Sequence, residues 1–226
     1  LTGAVTLSYD FLLSLLKKES VEDILRNNRL VDFSLFDEAL KHMKEKNSLA
    51  AIENVFDKFY YSHLIMFSEN LPKEGALFRS FIVKEVEILN ILTLLRLKRA
   101  KFRKDDIKNF LIYSGNRLKD AKITALSNLE NFEDVAKALE RTEYKEVVAE
   151  GVEEFKKNGS LIKLETGLYK YLLKQSILML HQHPLSVDVI LGYMLAKDIE
   201  VRNLKIIIKG KQLGLGEEFI ESQLVY

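Results

Sequence analysis

FIVKEVEILNILTLLRLK, residues Phe81–Lys98, and MLAKDIEVRNLKIIIKGK, residues Met194–Lys211, are two versions of one pattern. A shift of 113 lays Lys84 on Lys197, Glu87 on Glu200, Asn90 on Asn203 and Lys98 on Lys211. Glu85 meets Asp198, Arg96 meets Lys209, and most positions between them are apolar in both stretches. Within the first stretch Val83, Val86, Asn90, Leu94 and Leu97 recur at three and four, the spacing of one helix face. Internal repetition of this kind decides the organisation of a chain before any single motif does.

Working outward, the register holds with two small slips. Pro72 and Pro184, the two prolines of the chain, are 112 apart, as are Glu53 and Glu165, Lys58 and Lys170, and the pairs Ser48-Leu49 and Ser160-Leu161. Glu22-Asp23 meets Glu133-Asp134, and Phe33 meets Tyr144, at 111. Two single-residue insertions account for the drift, which suits helices joined by loops. The chain therefore reads as two units, 1–113 and 114–226, each of about five helices with a short sixth. The first copy is expected near 8–17, 20–28, 33–46, 48–67, 73–100 and 104–112. The second is expected near 120–128, 131–139, 143–157, 160–182, 185–209 and 216–225. Leu1-Thr-Gly-Ala-Val5 stands where the inter-repeat segment around Gly115 would stand one unit earlier. With Leu rather than Met at position 1, this predicts that a preceding copy and the natural start have been removed.

Composition agrees with an all-α chain. Two prolines and 10 glycines in 226 residues leave few helix breakers. Alternating strand patterns are missing. Ser20-Val-Glu-Asp23 and Ser34-Leu-Phe-Asp37 each read as a helix start with a carboxylate three residues beyond the cap. The 34 basic and 33 acidic residues nearly cancel, so no global field points to nucleic acid or an anionic membrane. No cysteine is present, which removes disulfides, thiolate zinc sites and thiol nucleophiles. The longest apolar runs, around Phe59–Phe67 and Ile88–Leu95, are too short to span a bilayer.

Motifs with chemical meaning are few. Arg96 to Lys104 carries six cations in nine residues (Arg96, Lys98, Arg99, Lys101, Arg103 and Lys104) and could face an acidic partner, lipid headgroups or nucleic acid. It also closes a helix, where cations are stabilising, and Asp105-Asp106 follow. Lys209-Gly-Lys211 with Gly214 and Gly216 lacks the order of a phosphate-binding loop, and Gly210 reads as a left-handed cap ending the long helix. Glu87/Asn90 and Glu200/Asn203 each share a helix face; they read first as hydrogen-bonding groups within their repeats and second as partner contacts. His181-Gln-His183 has too few neighbouring ligands for a metal site. Phe56, Phe59, Tyr60, Tyr61 and Phe67, at helical spacing, read as core. No nucleophile elbow, HExxH or Gly-rich fingerprint occurs, so no catalytic residue, cofactor or metal is expected.

The stretch YMLAKDIEVRNLKIIIKGKQLGL, Tyr193–Leu215, followed by EEFIESQLV, resembles the C-terminal signature of the C/d-type central-stalk family of V/A-type ATPases. The likeness extends more weakly over the rest of the chain through the repeat. It implies a funnel-shaped, pseudo-threefold helical body of three such units, of which this chain holds two. It also implies a non-catalytic central-stalk subunit that couples the soluble central shaft to the membrane proteolipid ring during ATP synthesis or hydrolysis. The expected location is cytoplasmic and peripheral to the membrane. Arg96, Lys98, Arg99, Glu200, Asn203, Lys209 and Lys211 are the candidate partner-binding residues. Self-association is expected where a third unit would otherwise cover apolar surface. The alternative is a helical protein that binds nucleic acid through Arg96–Lys104.

Overall fold

The computed structural model describes residues 7–71, 76–115, 117–182 and 187–226. Every regular element among them is a helix: α1 (Tyr9–Leu16), α2 (Val21–Asn27), a 3-10 turn (Phe33–Phe36), α3 (Asp37–Lys46), α4 (Ala50–Glu69), α5 (Ala76–Arg99) and α6 (Lys104–Lys108). They continue with α7 (Arg117–Ser127), α8 (Phe132–Leu139), α9 (Lys145–Asn158), α10 (Ile162–Gln182), α11 (Val187–Gln212) and α12 (Glu217–Ser222). The all-α expectation holds. The sequence readings of Leu1–Val5, of Pro72 and Pro184, and of the His181/His183 pair lie outside the described residues or side chains.

The chain forms two compact units, 1–62 and 63–226, divided within α4. In the first, Leu25, Val31, Phe36, Ala39, Leu40 and Ile52 form a buried core. Val55, Phe56 and Phe59 pack on it from α4, where Ile52, Phe56 and Phe59 stand four and three apart and make one stripe. Ser20 caps α2, its hydroxyl accepting from Asp23 N–H at 3.1 Å. Ser34 does not start α3 as its spacing suggested. Asp32 takes the cap, accepting from Ser34 N–H at 2.9 Å, and the chain enters α3 through a 3-10 turn. Tyr60 and Phe67 are exposed rather than core, because they lie off the buried stripe of α4.

In the second unit α5 is the central element. Thirteen of its residues, from Phe78 to Lys98, are buried, and it packs on α7, α8, α10 and α11. Helix α10 packs in turn on α9 and α11. The helices expected over 104–112 and 216–225 end earlier, at Lys108 and Ser222. Beyond each end stands an asparagine clasp, which keeps Ile112 and Val225 out of the helix. Asn90 in the middle of α5 donates to the Ile112 carbonyl at 2.6 Å and accepts from Ile112 N–H at 2.8 Å. Asn203 in α11 does the same to Val225, at 2.6 and 2.9 Å. A backbone bonded on both sides to a side-chain amide cannot also continue a helix. The two clasps span the same 22 residues.

Gly210 does not end α11. It is helical, and a Cβ placed there would come within 2.6 Å of Ile220 Cγ1, so the missing side chain admits α12 against α11. The left-handed residue is Gly214, at φ 68°, after the helix has closed.

Candidate interaction surfaces

Helix α5 also supplies the polar chemistry. Along α5 four charged side chains leave the helix and engage α7, the loop after it, the loop between α8 and α9, and α10. Lys84 donates to Glu143 Oε2 at 2.7 Å and to the Tyr171 hydroxyl at 3.3 Å. Glu87 accepts from Lys119 at 2.5 Å and from Lys122 at 3.1 Å. Arg96 makes two parallel bonds to Glu165, at 2.8 and 2.7 Å, the bidentate geometry in which a guanidinium outperforms an ammonium. Lys98 is buried and caps the end of α7, donating to the Ser127 carbonyl at 2.9 Å and also to the Leu129 carbonyl.

Burial pushes the Glu87 carboxyl up, but the Lys119 hydrogen bond and the charges of Lys119 and Lys122 outweigh it and hold it below its ordinary range. Burial draws Lys98 down, as expected for an ammonium bonded to carbonyl dipoles rather than to a carboxylate. Tyr144, fully buried against the Tyr171 ring at 5.2 Å, has its hydroxyl pushed up by burial and then by Glu87 and Glu143. That hydroxyl makes no hydrogen bond of acceptable geometry to the described residues.

The seven residues singled out from sequence fall into two groups. Arg96, Lys98 and Asn203 are engaged within the second unit, as described. Arg99 is exposed, its guanidinium 5.8 Å from the Phe155 ring centroid. Glu200 is exposed and paired with Lys197 at 2.6 Å. Lys211 pairs with Glu217 at 2.5 Å across the α11–α12 turn. Lys209 is exposed on the rim of a shallow apolar groove of about 290 Å³ formed by α10, α11 and α12, with Leu213, Leu215 and Phe219 on its wall. Within the basic run, Arg103 binds Asp106 at 3.1 Å and Lys104 pairs with Glu130, so most of its cations already have partners. Among the described residues no group of His, Asp and Glu is placed to hold a metal ion, and no helix is long and apolar enough to cross a membrane.

Sequence reasoning finds Glu87 and Asn90 but not the lysines that answer Glu87. Lys119 and Lys122 are 32 and 35 residues away and belong to the second copy of the pattern.

Comparison with known proteins places the chain in a family. The family model described as ATP synthase (C/AC39) subunit matches residues 1–223. The chain is 39% identical to the C subunit of the A-type ATP synthase of Methanococcoides burtonii, over all of this chain and 61% of that protein. It is 34% identical to the protein of the same name from Methanosarcina acetivorans, over all of this chain and 60% of the relative. To that of Methanocaldococcus jannaschii it is 30% identical, over 92% of this chain and 52% of the relative. The chain thus spans less than two thirds of the length of these curated relatives. No solved structure matches it. None of these relatives is named for nucleic-acid binding, and the alternative reading of the basic run finds no support. With the family model running through nearly its whole length, the chain belongs to the ATP synthase C/AC39 subunit family.

Proposed function

We propose that the chain is the repeat-built portion of a central-stalk adaptor in an A-type rotary ATP synthase, joining the soluble central shaft to the membrane rotor ring without doing chemistry itself. The observation that carries this is the family match across residues 1–223, together with relatives named as the C subunit of A-type ATP synthases. On this reading 1–113 and 114–226 are the two tandem units of the body, and they work in the cytoplasm against the membrane ring. The physical character of the second unit supports the assignment. A subunit that passes rotation between partners needs a stiff, densely packed body, and α5 is buried along most of its length and cross-braced by Lys84, Glu87, Arg96 and Lys98. Of the candidate contact residues, Arg99, Glu200, Lys209 and Lys211 carry their charges at the surface and are the ones available to partners.

The test is binding of the chain to the central-shaft subunits of an A-type ATP synthase from one of the relatives' organisms, across a salt series. Saturable binding that weakens with salt is the expected result. Failure of the folded chain to bind, with a full-length relative binding in parallel, would overturn the adaptor reading for this chain.

A further inference from the structure

Helices α5 and α11 carry the same residues and meet different surroundings. Their inner faces match: Val86 and Ile199 are both buried, and Asn90 and Asn203 hold equivalent clasps. Their outer faces do not. Ile88, Ile91 and Leu95 are at most 1% exposed, whereas Val201, Leu204 and Ile208, at the same positions, are 47, 57 and 66% exposed. The four charges that α5 sends into the second copy are retained on α11 as Lys197, Glu200, Lys209 and Lys211. There they lie exposed, in short-range pairs or on a groove rim. A helix that keeps both the apolar stripe and the charge set of a covered helix is built to be covered in the same way.

What covers α5 is the α7–α10 layer. The chain carries a second version of that layer in its first unit, α1–α4, offset by 111 to 112 residues. Asp32 stands in register with Glu143, the partner of Lys84, and Glu53 with Glu165, the partner of Arg96; both are exposed. The end of α1 corresponds to the end of α7, whose carbonyls receive Lys98. Helix α1 also turns Leu12, Leu13 and Leu16 to solvent, and Leu12 is in register with the buried Ile123 of α7. The match departs at one point. Ser8 and Phe11 stand where Lys119 and Lys122 would be, so Glu200 keeps Lys197 as its counter-ion.

We infer that the outer face of α11 is a docking surface for a second copy of this chain, which presents its α1–α4 layer as α7–α10 is presented to α5. Lys209 then meets the Glu53 of the other copy, Lys197 its Asp32, Lys211 the carbonyls closing its α1, and Val201, Leu204 and Ile208 its exposed leucines. The contact is head-to-tail, because the two surfaces differ, and it is independent of the stalk assignment.

Sedimentation velocity on the chain up to about 100 μM, a range in which a modest interface populates, is the experiment. The expected result is a concentration-dependent species above the 26.1 kDa monomer. Leu204→Asp is expected to weaken association by about tenfold or more, as for loss of a central apolar contact. Lys209→Glu and Glu53→Lys are each expected to weaken it by about threefold, and a chain carrying both should return to the wild-type level, the pairing signature of a double-mutant cycle. A wild-type chain that stays monomeric throughout would overturn the inference and leave the face to another partner. Association that ignores Leu204→Asp, or charge reversals that do not rescue each other, would overturn it as well.

Discussion

Helix α5 and helix α11 present nearly the same sequence to two environments, and the difference separates what a helix owes to its own residues from what it owes to its neighbours. Both form, both bury the side carrying Val86 or Ile199, and both clasp a return segment through one asparagine. Those features belong to the unit. Ile88, Ile91 and Leu95 are buried where Val201, Leu204 and Ile208 are exposed, and Lys84, Glu87, Arg96 and Lys98 reach partners in the residues that follow α5. Stability should therefore be distributed unequally between positions that sequence alone would treat as equivalent.

The largest difference is expected from a matched truncation on the two helices. Leu95→Ala should cost about 2–5 kcal/mol, the range for removing a fully buried leucine side chain. Its counterpart Ile208→Ala should stay within about 0.5 kcal/mol, as for an exposed site. Urea denaturation at low protein concentration measures both, and equal costs would refute the difference in environment.

Asparagine replacements should come next. Asn90→Ala strands the N–H and carbonyl of buried Ile112 and is expected to cost about 2–3 kcal/mol. Asn203→Ala acts on a half-buried clasp and should cost about 1 kcal/mol. Hydrogen exchange at the Ile112 and Val225 amides should accelerate selectively in the respective variants.

Glu87 supplies a smaller, pH-dependent difference. Its carboxyl is held below the ordinary value of 4.5, so the folded state binds fewer protons than the unfolded chain in that range. The resulting stabilisation is complete above the ordinary value and is lost as pH falls through the lowered one. Glu87→Gln should cost about 1–2 kcal/mol at neutral pH and flatten the acid limb of the stability profile.

Among the replacements on α5 the smallest effect is expected from Arg96→Lys, which gives α5 the residue α11 carries at Lys209. It exchanges a two-bond contact with Glu165 for a point charge at a half-exposed site and should cost under about 1 kcal/mol. Double-mutant cycles with Glu165→Gln measure it.

Much of this is legible from sequence, for identifiable reasons. Three-and-four spacing fixes helix type, because it is a property of the chain in order. Asn90 and Asn203 can be read as hydrogen-bonding groups, since an amide recurring on a buried helix face needs a partner. Their partners cannot be read, because Ile112 and Val225 contribute only backbone. The pairing of Glu87 with Lys119 and Lys122 is out of reach for a different reason: it joins residues brought together by tertiary packing alone. Gly210 is misread as a cap because a glycine flanked by lysines near a helix end suits a cap as well as a close crossing, and only the position of Ile220 separates them. Ser34 is misread because Asp32, two residues earlier, competes for the same role and wins.

The clasp also bears on how such a chain can change length over generations. The offset between copies drifts from 111 near Glu22 to 112 at Glu53 and 113 at Phe81, so insertions have been accepted upstream of the long helices. From Asn90 to Ile112, and from Asn203 to Val225, the count is the same in both copies. An inserted or deleted residue there would bring the wrong amide to the asparagine and leave buried backbone unmatched. The turns after α5 and α11, surface connections of the kind where length ordinarily varies freely, are thereby fixed in register by one side chain each.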